Sequence, residues 1–127
     1  MPKTVINPPG VPKPGGAYSP GISCAGFVYT AGLGPQDPVT GEIVGDDIES
    51  QTRQVLTNLA AVLAGAELSL SNVVKATVHL QELKRDFAGF NAVYKQMMPE
   101  PLPVRTTVGS QLMDILVEID FVASADA

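Results

Sequence analysis

Apolar residues recur along this chain at two alternating periods, and each change of period marks a new element. Gly26-Phe27-Val28-Tyr29-Thr30-Ala31 reads as a strand, rich in β-branched and aromatic residues. From about residue 47 to 64 the spacing becomes helical, with Ile48, Val55, Leu56, Leu59, Val62 and Leu63 on one side. Gln51, Arg53, Gln54 and Asn58 fall elsewhere on that helix, and Gly65 is a stop. Ser71-Asn72 leads into a strand in which Val74, Ala76, Val78 and Leu80 alternate with Lys75, Thr77 and His79. A second helix is expected from about Asp86, a suitable N-cap, with Phe87, Phe90, Tyr94, Met97 and Met98 forming an apolar stripe read as core. Pro99, Pro101 and Pro103 end it. Two strands close the pattern. Val104, Thr106 and Val108 share one face of the first, so Arg105 and Thr107 take the other. In the second, Val117, Ile119 and Phe121 are apolar while Glu118 and Asp120 point away.

These elements make an α+β domain in which two helices cover one face of a mixed sheet. Residues 1–17 are rich in Pro and Gly and are expected to be irregular, with Thr4-Val5-Ile6 as a short strand. Residues 35–41 form a loop. No repeat or linker divides the chain, so residues 1–127 are expected to form a single domain. The uncovered face is expected to carry Arg105, Thr107, Leu116, Glu118, Asp120, Val122, Lys75, Thr77 and His79. Such a mixture is awkward in water and too polar for a core. Burial against copies of the same chain, in a closed homo-oligomer, resolves this.

Composition removes several classes of function. The chain has 127 residues, 45% of them hydrophobic, enough to bury a core without staples. No apolar run approaches the roughly 20 residues of a membrane span, and the Pro-rich start is no signal peptide, so the expected location is the cytoplasm. Thirteen acids against eight bases give a net charge of −5. That balance argues against nucleic acid as a partner. Cys24 is the only cysteine and His79 the only histidine, which argues against a disulfide framework and a metal site. His79 is read as a sheet-face residue rather than a general base.

Arg105 and Glu118 are the candidate chemistry. On the alternation above, a guanidinium and a carboxylate stand on one side of a single sheet, where they could hold a small carboxylic acid and a water molecule. A structural ion pair on a polar face is the plain alternative.

Several blocks, in order, resemble the YjgF/RidA family of imine and enamine deaminases. They are Ala17-Tyr18-Ser19, Tyr29-Thr30-Ala31-Gly32 and Asp37-Pro38-Val39-Thr40-Gly41-Glu42. Gln54-Val55-Leu56-Thr57-Asn58-Leu59, Asn72-Val73-Val74-Lys75-Ala76-Thr77-Val78 and Asp86-Phe87-Ala88-Gly89-Phe90-Asn91-Ala92-Val93-Tyr94 follow. Pro103-Val104-Arg105-Thr106 and Val117-Glu118-Ile119 complete the set. The resemblance covers nearly the whole chain. It implies a chorismate-mutase-like fold assembled as a homotrimer, with sites in the clefts between subunits. It implies that Arg105 grips the substrate carboxylate and Glu118 positions the attacking water. It also implies that Tyr18 closes the cleft from a neighbouring subunit, that backbone N–H groups at Gly32 and Thr107 orient the ligand, and that Asn91 is the family's helix-two asparagine.

A 2-imino acid is already electrophilic at its imine carbon, so no cofactor is needed for its hydrolysis to a 2-keto acid and ammonia. Two segments depart from the family's usual pattern. Gly16-Ala17-Tyr18-Ser19-Pro20 stands where Gly-Pro-Tyr-Ser-Gln is common, and Ala31-Gly32-Leu33 where Ser-Gly-Gln is common, which makes the pocket more apolar. The connection from Arg105 to Glu118 is also a couple of residues shorter than usual, which bears on the register of Glu118. Three functions follow: imine deamination, non-catalytic capture of a 2-keto acid or other small carboxylate, and the endoribonuclease activity attached to the family by name. The acidic charge and single histidine argue against the last.

Overall fold

The structure is a computed structural model and describes residues 2–127. Eight main elements follow in chain order: β1 (Thr4–Ile6), β2 (Gly21–Cys24), β3 (Phe27–Thr30), α1 (Ile48–Ala64), β4 (Val73–Leu80), α2 (Leu83–Met97), β5 (Val104–Gly109) and β6 (Val117–Ser124). The strands form one six-stranded sheet in the order β1-β2-β3-β6-β4-β5. Only β4 and β5 run parallel, and α2 supplies the crossover that a parallel pair needs. Both helices lie on one face, as the apolar pattern requires.

The core sits between α1 and the centre of the sheet. Val55, Leu56, Leu59, Val62 and Leu63 of α1 are fully buried, as are Val117 and Ile119 of β6 and Ala76, Val78 and Leu80 of β4. Asp47 starts α1 by accepting the Ser50 backbone N–H at 2.7 Å. That bond holds its carboxyl below the ordinary value. α2 begins three residues earlier than its sequence indicates. Glu82 occupies the N-cap without a side-chain hydrogen bond, and Asp86 is instead a buried first-turn residue paired with Arg85 at 2.9 Å.

The alternation along the sequence does not reveal strand β2. It pairs with β3 through a two-residue turn at Ala25 and Gly26, both at positive φ (54° and 83°). Such turns usually announce themselves by Asn-Gly or Asp-Gly; Ala25 hides this one.

The larger correction concerns β5. Arg105 stands opposite Ala76 and Thr107 opposite Val78, both buried under the helices. Arg105 and Thr107 therefore face the helix layer. Val104, Thr106 and Val108 lie on the uncovered face, level with Lys75, Thr77 and His79. Glu118, opposite His79, is also on that uncovered face. Arg105 and Glu118 thus point to opposite sides of the sheet, and neither the shared-face site nor the ion pair exists within one chain. The parity of β5 and β6 agrees with the sequence pattern, whereas in β4 a register shift between Val73 and Lys75 buries Val73 and exposes Val74; the side to which β5 turns its apolar residues differs from the pattern. Leu116 is partly buried and packs against the core, not on the open face.

Candidate functional site

Arg105 is held on the helix side by a stripe of α2. Phe87, Phe90, Asn91 and Tyr94 recur at i, i+3, i+4 and i+7, which places them on one helix face. The Arg105 guanidinium carbon lies 5.7, 5.2 and 4.8 Å from the ring centroids of Phe87, Phe90 and Tyr94. Its Nη1 donates to Asn91 Oδ1 at 2.8 Å. Rings at that range attract the cation and fix its plane. Among the described residues the one ion pair is Arg85–Asp86, so no carboxylate neutralises Arg105. A half-buried, oriented guanidinium with free N–H groups suits an incoming anion, and the fork matches a carboxylate.

Two polar atoms near this cation also lack partners. Thr107, one pleat repeat along β5 on the same face, has a buried Oγ1 with no hydrogen bond, and so does the Oη of buried Tyr94. Burial raises the Tyr94 phenol above its ordinary value, with the Arg105 charge opposing.

Glu118 belongs to a different surface. Leu33 exchanges two backbone hydrogen bonds with Ile119, at 2.9 and 3.2 Å, and so draws residues 31–34 against β6. Gly32 is thereby pressed onto the Glu118 side chain: a Cβ there would stand 2.8 Å from Oε2. Glu118, Gly32 and Tyr18 line one cavity of about 1010 Å³. Tyr18 is half exposed, and its Oη accepts the Gly15 N–H at 3.1 Å.

Three side-chain amides set the cavity walls. Buried Asn58, 1% exposed, donates from Nδ2 to the carbonyls of Gly34 and Gln36 at 3.0 and 2.8 Å. Gln51 donates to the Gly45 carbonyl at 3.1 Å and accepts the Leu116 N–H at 2.8 Å, so it ties both walls to α1. Gln81 accepts the Leu112 N–H at 2.6 Å. Helical spacing alone places Gln51 and Asn58 away from the apolar stripe; both are in fact buried, where they bond three loop carbonyls and the Leu116 amide. Phe87, Phe90 and Tyr94, which helical spacing assigns to the core, also form the platform for Arg105. Its signal was the fourth member of the stripe, Asn91.

The candidate residues therefore fall into two trios. Arg105, Asn91 and Thr107 belong to the α2–β5 side; Tyr18, Gly32 and Glu118 belong to the cavity. One chain does not bring them together. His79 joins neither, since its Nδ1 is 2.7 Å from Ser110 Oγ on the uncovered face.

The Endoribonuclease L-PSP family model matches residues 10–125. The chain belongs to the YjgF/RidA family. It is 45% identical over 123 residues to a RutC family protein of Pyrococcus horikoshii, covering 95% of this chain and 97% of that one. To the chloroplastic Reactive Intermediate Deaminase A of Arabidopsis thaliana it is 33% identical over 124 residues, 96% of this chain and 66% of that protein. Among solved structures it is similar to E. coli TdcF with bound serine, at a TM-score of 0.88 and 33% identity, covering 95% of this chain and 98% of that one. YjgF/RidA membership accounts for the fold. Among the described residues no helix is long and apolar enough to cross a membrane.

Proposed function

We propose that the protein hydrolyses 2-imino acids and their enamine tautomers to 2-keto acids and ammonia, as a homotrimer whose sites lie between subunits. The observation that carries this reading is the separation of an unpaired Arg105 from Glu118 on opposite sheet faces. In a cyclic assembly, one subunit's Arg105, Asn91 and Thr107 can meet the next subunit's Glu118, Gly32 and Tyr18. The uncovered face supports self-association, since it exposes Val104, Val108, Tyr29 and Phe27 beside Lys75 and His79. The deaminase named in Arabidopsis thaliana and the serine bound by E. coli TdcF support a small amino- or imino-acid ligand.

In this mechanism Arg105 binds the carboxylate through paired charge-assisted hydrogen bonds and fixes the imine carbon. Glu118 accepts a proton from water as the oxygen forms a bond to that carbon and the C=N π pair moves to nitrogen. The resulting carbinolamine returns an electron pair from oxygen. Glu118 passes its proton to the nitrogen, then takes the carbinolamine hydroxyl proton and delivers it there as the C–N bond breaks, so that ammonia leaves, the keto acid is formed and the carboxylate is restored. The imine carbon is electrophilic in itself, so positioning and one base can supply the acceleration.

The test is hydrolysis of imines generated by an amino-acid oxidase, read as ammonia release above the spontaneous rate. Light scattering on the same sample should give about three times the 13.3 kDa chain mass. A folded monomer that hydrolyses imines at full rate would refute the shared site. A trimer that binds keto acids without turnover would identify a small-carboxylate binder, the reading that the Arg105 platform alone also supports.

A further inference from the structure

The cavity beside Glu118 in the single chain, open where the next subunit would enter, has a largely apolar lining. At about 1010 Å³ it lies at the upper end of ligand pockets, which run from roughly 300 to 1,000 Å³. Leu33, Leu112 and Ile115 line it, and so do Val39 and Met113, each 92% exposed. Two large apolar side chains left to water in a concave lining favour whatever apolar group covers them.

The backbone around Val39 and at Leu112 is also held in place. Asp37 Oδ1 accepts the N–H groups of Val39 and Thr40 at 2.8 and 3.0 Å, which fixes the turn carrying Val39. Asn58 and Gln51 pin both flanks of that loop, and Gln81 holds Leu112. The lining is therefore a built surface rather than a collapsed loop.

An imine carbon is trigonal. Its three substituents are the carboxylate, the nitrogen and the side chain. With the carboxylate at Arg105 and water at Glu118, the nitrogen and the side chain remain, and of these the side chain is the apolar group that matches the apolar lining. Resting on the hydrolase reading above, we infer that this cavity receives the substrate side chain, and that preferred substrates are 2-imino acids with bulky apolar substituents, branched aliphatic or aromatic. Gln36 and Gln111 also line the cavity, so a polar substituent is the rival occupant.

The experiment compares imines generated by an amino-acid oxidase from leucine, phenylalanine, glutamine and alanine. The leucine and phenylalanine imines should show kcat/KM about tenfold or more above the alanine imine, since each added methylene in an apolar pocket contributes a several-fold gain. A Val39→Ser/Met113→Ser double variant should lower the leucine-to-alanine ratio by about fivefold or more. Both positions are solvent-exposed in the single chain, so the variant should keep its fold, and light scattering on the same sample checks that it keeps its assembly. Equal rates, or a preference for the alanine or glutamine imine, would overturn the inference while leaving the hydrolase reading in place.

A second arm separates the two failures. Calorimetry should show the keto acid of leucine binding about tenfold or more tightly than pyruvate. If no imine is accelerated yet that binding preference holds, the hydrolase reading falls and the apolar side-chain pocket stands. If neither preference is found, the pocket assignment is wrong.

Discussion

Asn91 Oδ1 is the one hydrogen-bond acceptor on the Arg105 guanidinium among the described residues, at 2.8 Å from Nη1. The amide orients the fork but cannot neutralise it. Arg105→Ala should therefore weaken 2-keto acid binding by roughly 2–4 kcal/mol, on the order of 30- to 1,000-fold. Arg105→Lys should recover little, because an ammonium has neither the fork nor the flat face that stacks on Phe90 and Tyr94. Asn91→Ala should cost about tenfold through a looser guanidinium. Calorimetry on samples with unchanged mass by light scattering checks all three. Undiminished binding by Arg105→Ala would place the anion site elsewhere.

Glu118 tests catalysis separately. Glu118→Gln keeps size and reach but cannot take a proton from water, so turnover should fall by roughly 100- to 10,000-fold while keto-acid binding changes much less. Co-refolding this variant with Arg105→Ala gives a stronger test. Random assortment in a cyclic trimer pairs an intact Arg105 with a neighbour's intact Glu118 at about a quarter of the seams. Activity should therefore reappear in the mixture of two inactive proteins. No recovery, in mixed assemblies verified by mass, would show that the two residues do not share a seam.

Gly32→Ala probes the contact beneath Glu118. The added methyl would lie 2.8 Å from Oε2, the mobile end of the carboxylate, so the side chain should swing aside without loss of the fold. A displacement on the order of 1 Å should cost roughly 100-fold in turnover. Keto-acid binding through Arg105 should persist. A fully active Gly32→Ala would mean that the carboxylate position is not critical.

Asp120 gives a pH prediction. Burial raises its carboxyl above the ordinary value, outweighing the attraction of His79 and Lys75. The folded state thus holds the proton more tightly than the unfolded chain. Its stabilising contribution is present below the unfolded value and is lost as pH rises through the raised folded value. Asp37 and Asp47 act oppositely: backbone hydrogen bonds lower their values, so their contributions are lost as pH falls through the lowered folded values. Asp120→Asn should gain stability relative to the parent as pH rises from about 4 to about 8, measured by chemical denaturation. A constant difference across that range would show that Asp120 is not the group responsible.

How much of this was legible in the sequence depends on where each residue's partner lies. The α1 stripe and the β6 alternation were readable because each faces one continuous core. On β5 the parity was legible but the side was not. Val104 and Val108 turn outward at a sheet edge, and Arg105 turns inward because aromatic rings and an amide receive it there. An alternation rule assigns the apolar side to the core; it cannot see that the core side holds a site for a cation. The cavity struts were illegible for a similar reason. Gln51 and Asn58 look like surface amides until the distant loop carbonyls they bind are in place.

The two-sided placement of Arg105 and Glu118 also has a consequence for measurement. A catalyst whose halves meet only on association obeys mass action. Specific activity should then be constant when the protein is concentrated and should decline on dilution below the association threshold, with a lag on returning to high concentration. Substrate bridging the two halves would oppose the decline, because a ligand bound across a seam favours the assembled state. On the proposed shared site, an assay at nanomolar protein would understate a turnover that higher concentrations restore.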